Sequence, residues 1–308
     1  MTARTSMTRR RRRIGVLALA GSAALALSAC TTPGSAFPDA AAQQGYMQDL
    51  AEARFELLSA QIGQAPDVIG SAYVHAVSGD LESHENDSVV LFGDPTSSFS
   101  QDKGSADGDT VDIYHLPGAA YDLLLLGGEL KELAPTEWVA VQTQYVAEED
   151  AEGSLGPACV YPGISIACDI YTAVEATRSS KEGVLSSVVV SMRNDGSSQI
   201  STSASLESVL AVGTLFDLPD DLVSSFSEDD LATLLPVTIF QNAEGGLVKM
   251  ELSGTVESET KLQLQAGFEV SGTSTLEDLP TEPSGFDVTA IPAADQAAFW
   301  DRIEELRK

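Results

Sequence analysis

The side chains that could do chemistry in this chain include three histidines, three cysteines and 46 acidic residues. The sequence has no zinc-protease, nucleophile-elbow, Walker or dinucleotide-binding motif. His75 and His115 lie in predicted strands and His84 lies in an acidic loop, where a histidine is usually a half-buried or solvated polar residue. We therefore predict no catalytic residue, no metal site and no cofactor. A secreted hydrolase stays an alternative, because a Ser-His-Asp triad assembles in space rather than in sequence.

Carboxylates are concentrated in one predicted loop, at Asp102, Asp107, Asp109 and Asp112. Oxygen ligands of this kind could hold a Ca²⁺ ion loosely, but they do not follow the order of an EF-hand loop. We favour the interpretation that they are solvated turn residues. Cation binding by residues 102–112 stays open.

Cys30 ends a segment with the composition of an export signal. All six basic residues before position 30 lie in the first 13 positions, and residues 14–29 are an apolar stretch. That stretch is short for a bilayer span of about 20 residues but suits the apolar core of a signal peptide. Its end, Leu27-Ser28-Ala29-Cys30, resembles the lipobox of bacterial lipoproteins, in which the cysteine is acylated and becomes the mature N-terminus. The alternative is a plain secretory signal with a coincidental cysteine.

This interpretation divides the chain into three parts. Residues 1–29 form a lipoprotein signal peptide, residues 30–39 a lipidated N-terminus with a flexible tether, and residues 40–308 a single domain. The chain would be exported by the Sec or the twin-arginine route. Acyl chains would then hold it on the extracytoplasmic face of the cell membrane. The net charge of −29 excludes nucleic acid as a partner, since binding a polyphosphate needs a basic surface. Protein partners are not indicated.

Cys159 and Cys168 remain after lipidation of Cys30, and outside the cytoplasm such a pair tends to oxidise. Pro162-Gly163 between them is a turn signal that brings the chain back on itself. We predict a disulfide, which would contribute roughly 2.5–3 kcal/mol for a loop of this length on the chain-entropy model. A metal pair is the alternative, although the spacing is wide for one.

The hydrophobic pattern predicts an α+β domain. Helices are predicted from about residue 40, within a helical insert at about 203–235, and from about residue 293 to the end. Strands are predicted at about residues 68–77, 88–92, 110–116, 120–126, 137–145, 170–177, 184–192, 248–252, 262–270 and 286–290. Because most strands have one apolar and one polar side, we expect an antiparallel sheet that is wetted on one face.

The helical insert has few polar positions, so its helices must be covered on several sides or must line a cavity. One solution is a strongly bent antiparallel sheet, a half-barrel, with the helices on its concave side and an apolar pocket between them. The predicted ligand-binding residues are Leu206, Val209, Leu210, Val212, Phe216, Leu222, Phe226 and Leu231. The alternative is a filled core, which would suit an envelope scaffold or partner-binding protein without a ligand.

The layout resembles the LppX/LprG type of actinobacterial lipoprotein, which is related in fold to LolA. Tyr121 lies in a strand before Trp138-Val139, as in the tyrosine-to-tryptophan hairpin of those proteins. Residues 234–237 lead from the insert into the hairpin around Gly245-Gly246, and residues 288–292 resemble the closing strand. The resemblance implies a half-barrel fold, binding or transfer of a lipid or glycolipid in an apolar cavity, and no catalytic residue.

Overall fold

The computed structural model describes residues 40–62, 67–79, 81–104, 108–143, 155–180, 188–213, 215–258 and 261–307, with side chains of the first helix from residue 45 onward. Contacts divide the chain into Met1–Gln43 and Gln44–Lys308. Of the first unit only the start of a helix is described, and the account below concerns the second. The predicted signal peptide, Cys30 and the tether lie outside the described residues.

The described part of the chain contains twelve strands and six α-helices. Strands β1 to β6 are Val68–Ser78, Leu81–Phe92, Ser97–Asp102, Val111–His115, Tyr121–Leu126 and Trp138–Gln142. Strands β7 to β12 are Val189–Met192, Ser198–Ser205, Leu234–Gln241, Leu247–Val256, Leu262–Gly272 and Val288–Ala290. Helices α1 to α6 are Ala40–Ile62, Ile164–Ser180, Leu206–Val212, Asp220–Ser225, Glu228–Leu231 and Gln296–Leu306.

All twelve strands belong to one sheet, in the order β12-β6-β5-β4-β3-β2-β1-β11-β10-β9-β8-β7. Neighbouring strands are antiparallel except for β12 and β6, which pair in parallel. This exception arises because β12 reaches β6 by a long connection from the middle of the sheet, so that no hairpin sets its direction. The predicted α+β class is confirmed. The sheet itself is mixed, open and uncurled rather than a half-barrel.

The two faces of the sheet carry different side chains. Along β11 the apolar even-numbered residues from Leu262 to Phe268 are buried, whereas Gln263, Gln265 and Glu269 are exposed. We call the face with the even-numbered residues of β11 the covered face, because helices pack on it, and the opposite one the open face. In register with these residues, the inner strands bury Ala72, Ala76, Ile239, Met250 and Leu252 on the covered face.

Helices α1, α2 and α3 share one apolar core with the covered face of β1, β2 and β8 to β11. Helix α1 contributes Ala51, Phe55, Leu58 and Ile62, whose spacing of three and four residues is that of one helix face. The Phe55 ring stacks on Tyr171 of α2 with the ring centres 4.5 Å apart. The N-terminal helix is therefore confirmed as part of the cover.

The strand predicted at residues 170–177 is wrong, because these residues belong to α2. The β-branched and aromatic residues of this stretch have high strand propensity, which tertiary packing overrides. The positions that α2 buries recur at intervals typical of a helix. They are Ile164, Ala167, Cys168, Ile170, Tyr171, Ala173, Val174 and Thr177.

The helical insert is shorter than predicted, because β8 extends to Ser205 and β9 begins at Leu234. Three short helices lie between them. The Ser205 side chain caps α3 by accepting a hydrogen bond from the Ser208 amide, and Ser227 forms a capping box with Asp230 at the start of α5. In α5 the acidic residue Asp230 therefore takes part in the cap, whereas α4 begins with Asp220 and Asp221 and has no side-chain cap hydrogen bond.

The C-terminal helix α6 is confirmed and covers the other end of the sheet. Phe299 and Ile303 pack against Leu124, Leu126 and Val139 of β5 and β6. The register of β1 to β6 carries the covered face across to these residues, so α6 lies on the same face as the other helices. The covered face thus has two apolar clusters, one at each end.

Candidate functional site

All eight predicted ligand-binding residues belong to the apolar layer between the covered face and the helices. Leu206, Val209, Phe216 and Phe226 are buried in it. The other four, Leu210, Val212, Leu222 and Leu231, are partly buried and pack against it. The insert therefore brings these side chains to one place, as predicted. That they line a ligand site stays a prediction.

Hydrogen bonds hold the start of the insert against α2 and β9. The Ser205 amide donates to Thr177 Oγ1 at 2.8 Å, and the same Oγ1 donates to the Ala173 carbonyl at 2.8 Å. The Leu206 amide donates to the Thr233 carbonyl at 2.9 Å. These bonds fix α3, whereas α4 and α5 are helices of six and four residues. Helices this short are marginal on their own, so α4 and α5 depend on packing for their position.

A pocket of about 340 Å³ opens beside α4. Leu222 lines it together with Leu81 and Ser78 from the β1–β2 hairpin. The Ser78 Oγ is buried and makes no hydrogen bond within the described residues. One predicted ligand-binding residue, Leu222, therefore borders a pocket, whose lining also includes the polar residues Ser78, Asp221 and Ser225.

A larger pocket of about 610 Å³ lies at the other end of the same layer, and we call it the Ile164 pocket. Its apolar lining comes from helices and sheet alike, and its other lining residues include polar ones. The apolar residues are Ile62, Val68, Ile164, Leu247 and Val270, and the polar ones are Gln61, Asp67, Asn242, Ser271 and Thr273. Its volume is within the range of about 300–1,000 Å³ that small-molecule sites occupy.

A polar strip crosses the covered face between its two apolar clusters. Ser98, His115 and Asp122 lie directly opposite one another on β3, β4 and β5, and all three are buried. His115 Nδ1 is 2.7 Å from Asp122 Oδ1, the contact that orients an imidazole in a catalytic triad. However, within the described residues the Ser98 Oγ makes no hydrogen bond, so the contact between nucleophile and base is missing.

The carboxylates within residues 102–112 accept hydrogen bonds from the backbone. Asp102, Asp109 and Asp112 each accept a hydrogen bond from a backbone amide, at 2.8, 2.7 and 3.1 Å. Asp102 also pairs with Arg307 at 2.6 Å, whereas Asp107 lies outside the described residues. Burial raises the pKa of Asp112. Among the described residues, no group of three or more His, Cys, Asp or Glu side chains could hold a metal ion.

The predicted disulfide between Cys159 and Cys168 is present. It joins the turn that precedes α2 to the first turns of that helix, and Cys168 is buried in the core. The Pro162-Gly163 turn leads into α2 rather than into a hairpin. The bond therefore links the start of α2, one of the helices that cover the sheet, to the segment before it.

Among solved structures, the chain is similar to the lipoprotein LppX from Mycobacterium tuberculosis, with 14% identity, a TM-score of 0.31 and coverage of 76% of this chain and 97% of LppX. LprF from Mycobacterium bovis is similar at 15% identity and a TM-score of 0.30, covering 78% and 95%. A DUF1329 family protein from Desulfovibrio piger is similar at 11% identity and a TM-score of 0.23, with coverage of 77% of this chain and 94% of that protein. No protein-family model and no curated protein matches.

The resemblance that the sequence predicts is therefore found in structure as well. At these TM-scores it carries no information about a ligand. As for membrane spans, no helix within the described residues is both long and apolar enough to cross a bilayer.

Sequence reasoning missed the Ile164 pocket. None of the eight predicted residues lines it, because the prediction followed the apolar insert. Ile62 and Ile164 lie at the end of α1 and the start of α2, and the second of these helices was predicted as strand. Recognising the helical spacing of Ile164, Ala167, Cys168 and Tyr171 would have placed an apolar helix end beside the sheet.

Proposed function

We propose that this protein is an extracytoplasmic lipoprotein that is anchored to the cell membrane through acylated Cys30 and binds an apolar ligand on the covered face of its sheet. No catalytic step is part of this proposal. The observation that carries it is the Ile164 pocket, an opening of ligand size whose lining includes Ile62, Val68 and Ile164 of the apolar layer between sheet and helices. The Leu27-Ser28-Ala29-Cys30 motif supplies the anchoring part.

The chemistry of the pocket suits an acyl chain with a polar end. Burying apolar area contributes about 25 cal/mol per Å², and the apolar lining residues come from α1, α2, β1, β10 and β11. Asp67 and Asn242 line the same pocket and can hydrogen-bond a polar group. The Gln61 Oε1 is buried without a hydrogen bond among the described residues and can accept one from a ligand.

The eight predicted residues extend this site at the other end of the layer. Helices α4 and α5 have only six and four residues and contain no buried residue. Local opening is easiest in elements with so few buried contacts. In this proposal a long ligand reaches from the Ile164 pocket under the insert, displacing α4 from the β1–β2 hairpin. The opening beside Leu222 supports this direction.

A second candidate function is an envelope scaffold with a filled core. The observation in its favour is that Leu206, Val209, Phe216 and Phe226 are already buried in protein contacts. In that case the two pockets are surface depressions, and the acylated chain binds a protein partner instead.

Lipid uptake distinguishes the two candidates. The acylated full chain, in detergent, is titrated with a fluorescent acyl-chain probe and then with phospholipid as competitor, and native mass spectrometry records the bound species. Val270→Lys places an ammonium in the Ile164 pocket and should weaken probe binding by at least about tenfold, or 1.4 kcal/mol. Gln263→Lys, on the open face of the same strand, is the matched control and should bind as the unchanged protein does.

Two results would count against the proposal. Equal probe binding by the Val270→Lys and Gln263→Lys variants would remove the Ile164 pocket from it. Recovery of ligand-free protein that takes up no lipid would favour the scaffold. The anchor is tested separately, because Cys30→Ala should abolish labelling by a fatty-acid probe in cells.

A further inference from the structure

Two of the three histidines of the chain lie side by side on the open face. His75 of β1 and His84 of β2 are directly opposite each other in the antiparallel pair. Opposite residues of such a pair have Cβ atoms about 4.5–5.5 Å apart and project on the same side of the sheet. The next strand places Gln265 opposite His75, so two imidazoles and an amide form one row.

The two rings are spaced as a shared metal ion requires. Their centres are 4.7 Å apart and their planes are inclined by 68°. Zinc-to-nitrogen bonds are about 2.0–2.1 Å long, so two imidazoles that share an ion have ring centres roughly 4.5–5 Å apart. The distance between the two rings therefore fits a shared metal ion.

Each ring has an oxygen partner at Nε2. His75 Nε2 is 3.1 Å from the side-chain oxygen of Asn86, and His84 Nε2 is 2.9 Å from a carboxylate oxygen of Glu82. A ring that donates from Nε2 to oxygen carries its lone pair on Nδ1. Histidines that bind metals usually donate their other nitrogen to a carboxylate or carbonyl in this way, which fixes the tautomer and the ring orientation.

The pair borders a depression of about 430 Å³ on the open face. Polar side chains make up much of its lining, including Gln263, Gln265 and Ser253. Glu82 is highly exposed beside His84, and the chain as a whole carries a net charge of −29. Both the local carboxylate and the overall field attract cations.

We propose that His75 and His84 form a binding site for a divalent first-row transition metal ion. The two imidazoles are the protein ligands, Glu82 and Asn86 orient them, and water or an external ligand completes the coordination. Imidazole suits copper, nickel and zinc, and the general order of affinities places Cu²⁺ first. This site is on the opposite face from the Ile164 pocket and does not depend on the proposed lipid binding.

The test is a Cu²⁺ titration of the full chain without a polyhistidine tag, in excess Mg²⁺ to occupy weak carboxylate sites. Electron paramagnetic resonance should show one tight Cu²⁺ with nitrogen ligands. His75→Gln and His84→Gln should each weaken this binding by more than about 100-fold, because the chelate loses one of its two protein ligands. Glu82→Gln should weaken it by about 10–100-fold through loss of ring orientation.

Gln263→Ala is the control, since it lies on the same depression but supplies no ligand. It should leave the copper affinity and the nitrogen signal unchanged. Copper that binds equally well to the His75→Gln/His84→Gln double variant, or that shows only oxygen ligands, would overturn the proposal. All variants are checked by thermal unfolding, so that lost binding is not confused with lost folding.

Discussion

The covered and open faces of the sheet are built from the same strands but carry different side chains. On β11, Leu264 and Phe268 are almost fully buried, while their neighbours Gln263 and Glu269 are exposed. The covered face packs apolar helices and holds the proposed lipid site. The open face presents imidazole, phenol, ammonium and carboxylate groups in register across β2, β1, β11 and β10.

This difference shows that one strand can serve two unrelated sites. Because side chains alternate, a substitution at an odd position of β11 changes the open face and leaves the covered face in place. The same alternation makes the register essential, since a slip by one residue would exchange the two faces. Each site can therefore be tested with a control residue from the same strand.

Polar contacts rather than burial organise the open face beside the histidines. Tyr73 Oη donates to a Glu251 carboxylate oxygen at 2.5 Å, and Lys249 Nζ lies 2.8 Å from the same carboxylate. Burial and the Glu251 contact raise the pKa of Tyr73. Burial opposes ionisation of Glu251, but the bonds from Lys249 and Tyr73 hold its pKa below the usual value.

The largest effect is expected on the covered face, at Phe268. Its ring fills the space beside two glycines, Gly70 and Gly163, where an added Cβ would lie within 2.7 and 2.8 Å of it. Gly70 and Gly163 have no side chain that could move into the space left by the ring. Phe268→Ala should therefore lower the free energy of unfolding by about 3–5 kcal/mol, measured by urea denaturation.

Gln263→Ala on the open face of the same strand is the matched control and should change stability by less than about 0.5 kcal/mol. Similar losses for the two variants would mean that β11 does not have one buried and one wetted face.

The next largest effect concerns the helix cover. Replacing Cys159 and Cys168 together by Ala removes a bond that closes a loop of sequence separation 9. The double variant should lose about 2.5–3 kcal/mol of unfolding free energy on the chain-entropy model. Adding a reductant should destabilise the unchanged protein by a similar amount and leave the variant unaffected. If the double variant is still less stable than the unchanged protein by the full amount when both are reduced, the loss comes from packing of Cys168 instead.

Local patterns predicted much of the fold correctly. The alternation in β10 and β11 and the amphipathic spacing in α6 are both read from a few consecutive residues. Helix α2 was not predicted, because residues 170–177 have high strand propensity and the contacts of α2 with β8 and α1 cannot be read from the sequence. The apolar start of β9 next to Leu231 likewise looked like a continuation of the insert.

The candidate sites were harder to predict than the elements. Cys159 and Cys168 are close in sequence, so their pairing could be inferred. The Ile164 pocket unites the ends of two helices and three strands that are distant in the chain, and only the folded register brings them together. His75 and His84 are nine positions apart, but their pairing required knowing that β2 begins at Leu81, and His84 was predicted to lie in a loop.

The smallest expected effect compares a carboxylate on each face. Burial raises the pKa of Asp87 on the covered face, and repulsion from Asp102 adds to this, whereas the pKa of Glu251 on the open face is lowered. A raised pKa means that the contribution of Asp87 is favourable only below its unfolded value of about 3.9 and is lost as pH rises. For Glu251 the contribution is present above about 4.3 and is lost as pH falls.

The two neutral variants should therefore shift stability in opposite directions at pH 7. Asp87→Asn removes a half-buried charge but keeps an acceptor for the Ser100 hydroxyl, which donates to Asp87 at 2.7 Å, so the urea midpoint should rise. Glu251→Gln removes the acceptor charge between Lys249 and Tyr73, so the midpoint should fall. Both differences should shrink toward zero as the pH falls. For Asp87 this happens below its unfolded pKa, whereas for Glu251 it happens only below its lowered folded pKa, because the carboxylate is then neutral in both states. A shift of the same sign in both variants would show that the two faces treat charge alike, and the contrast between a buried and a wetted face would then rest on apolar packing alone.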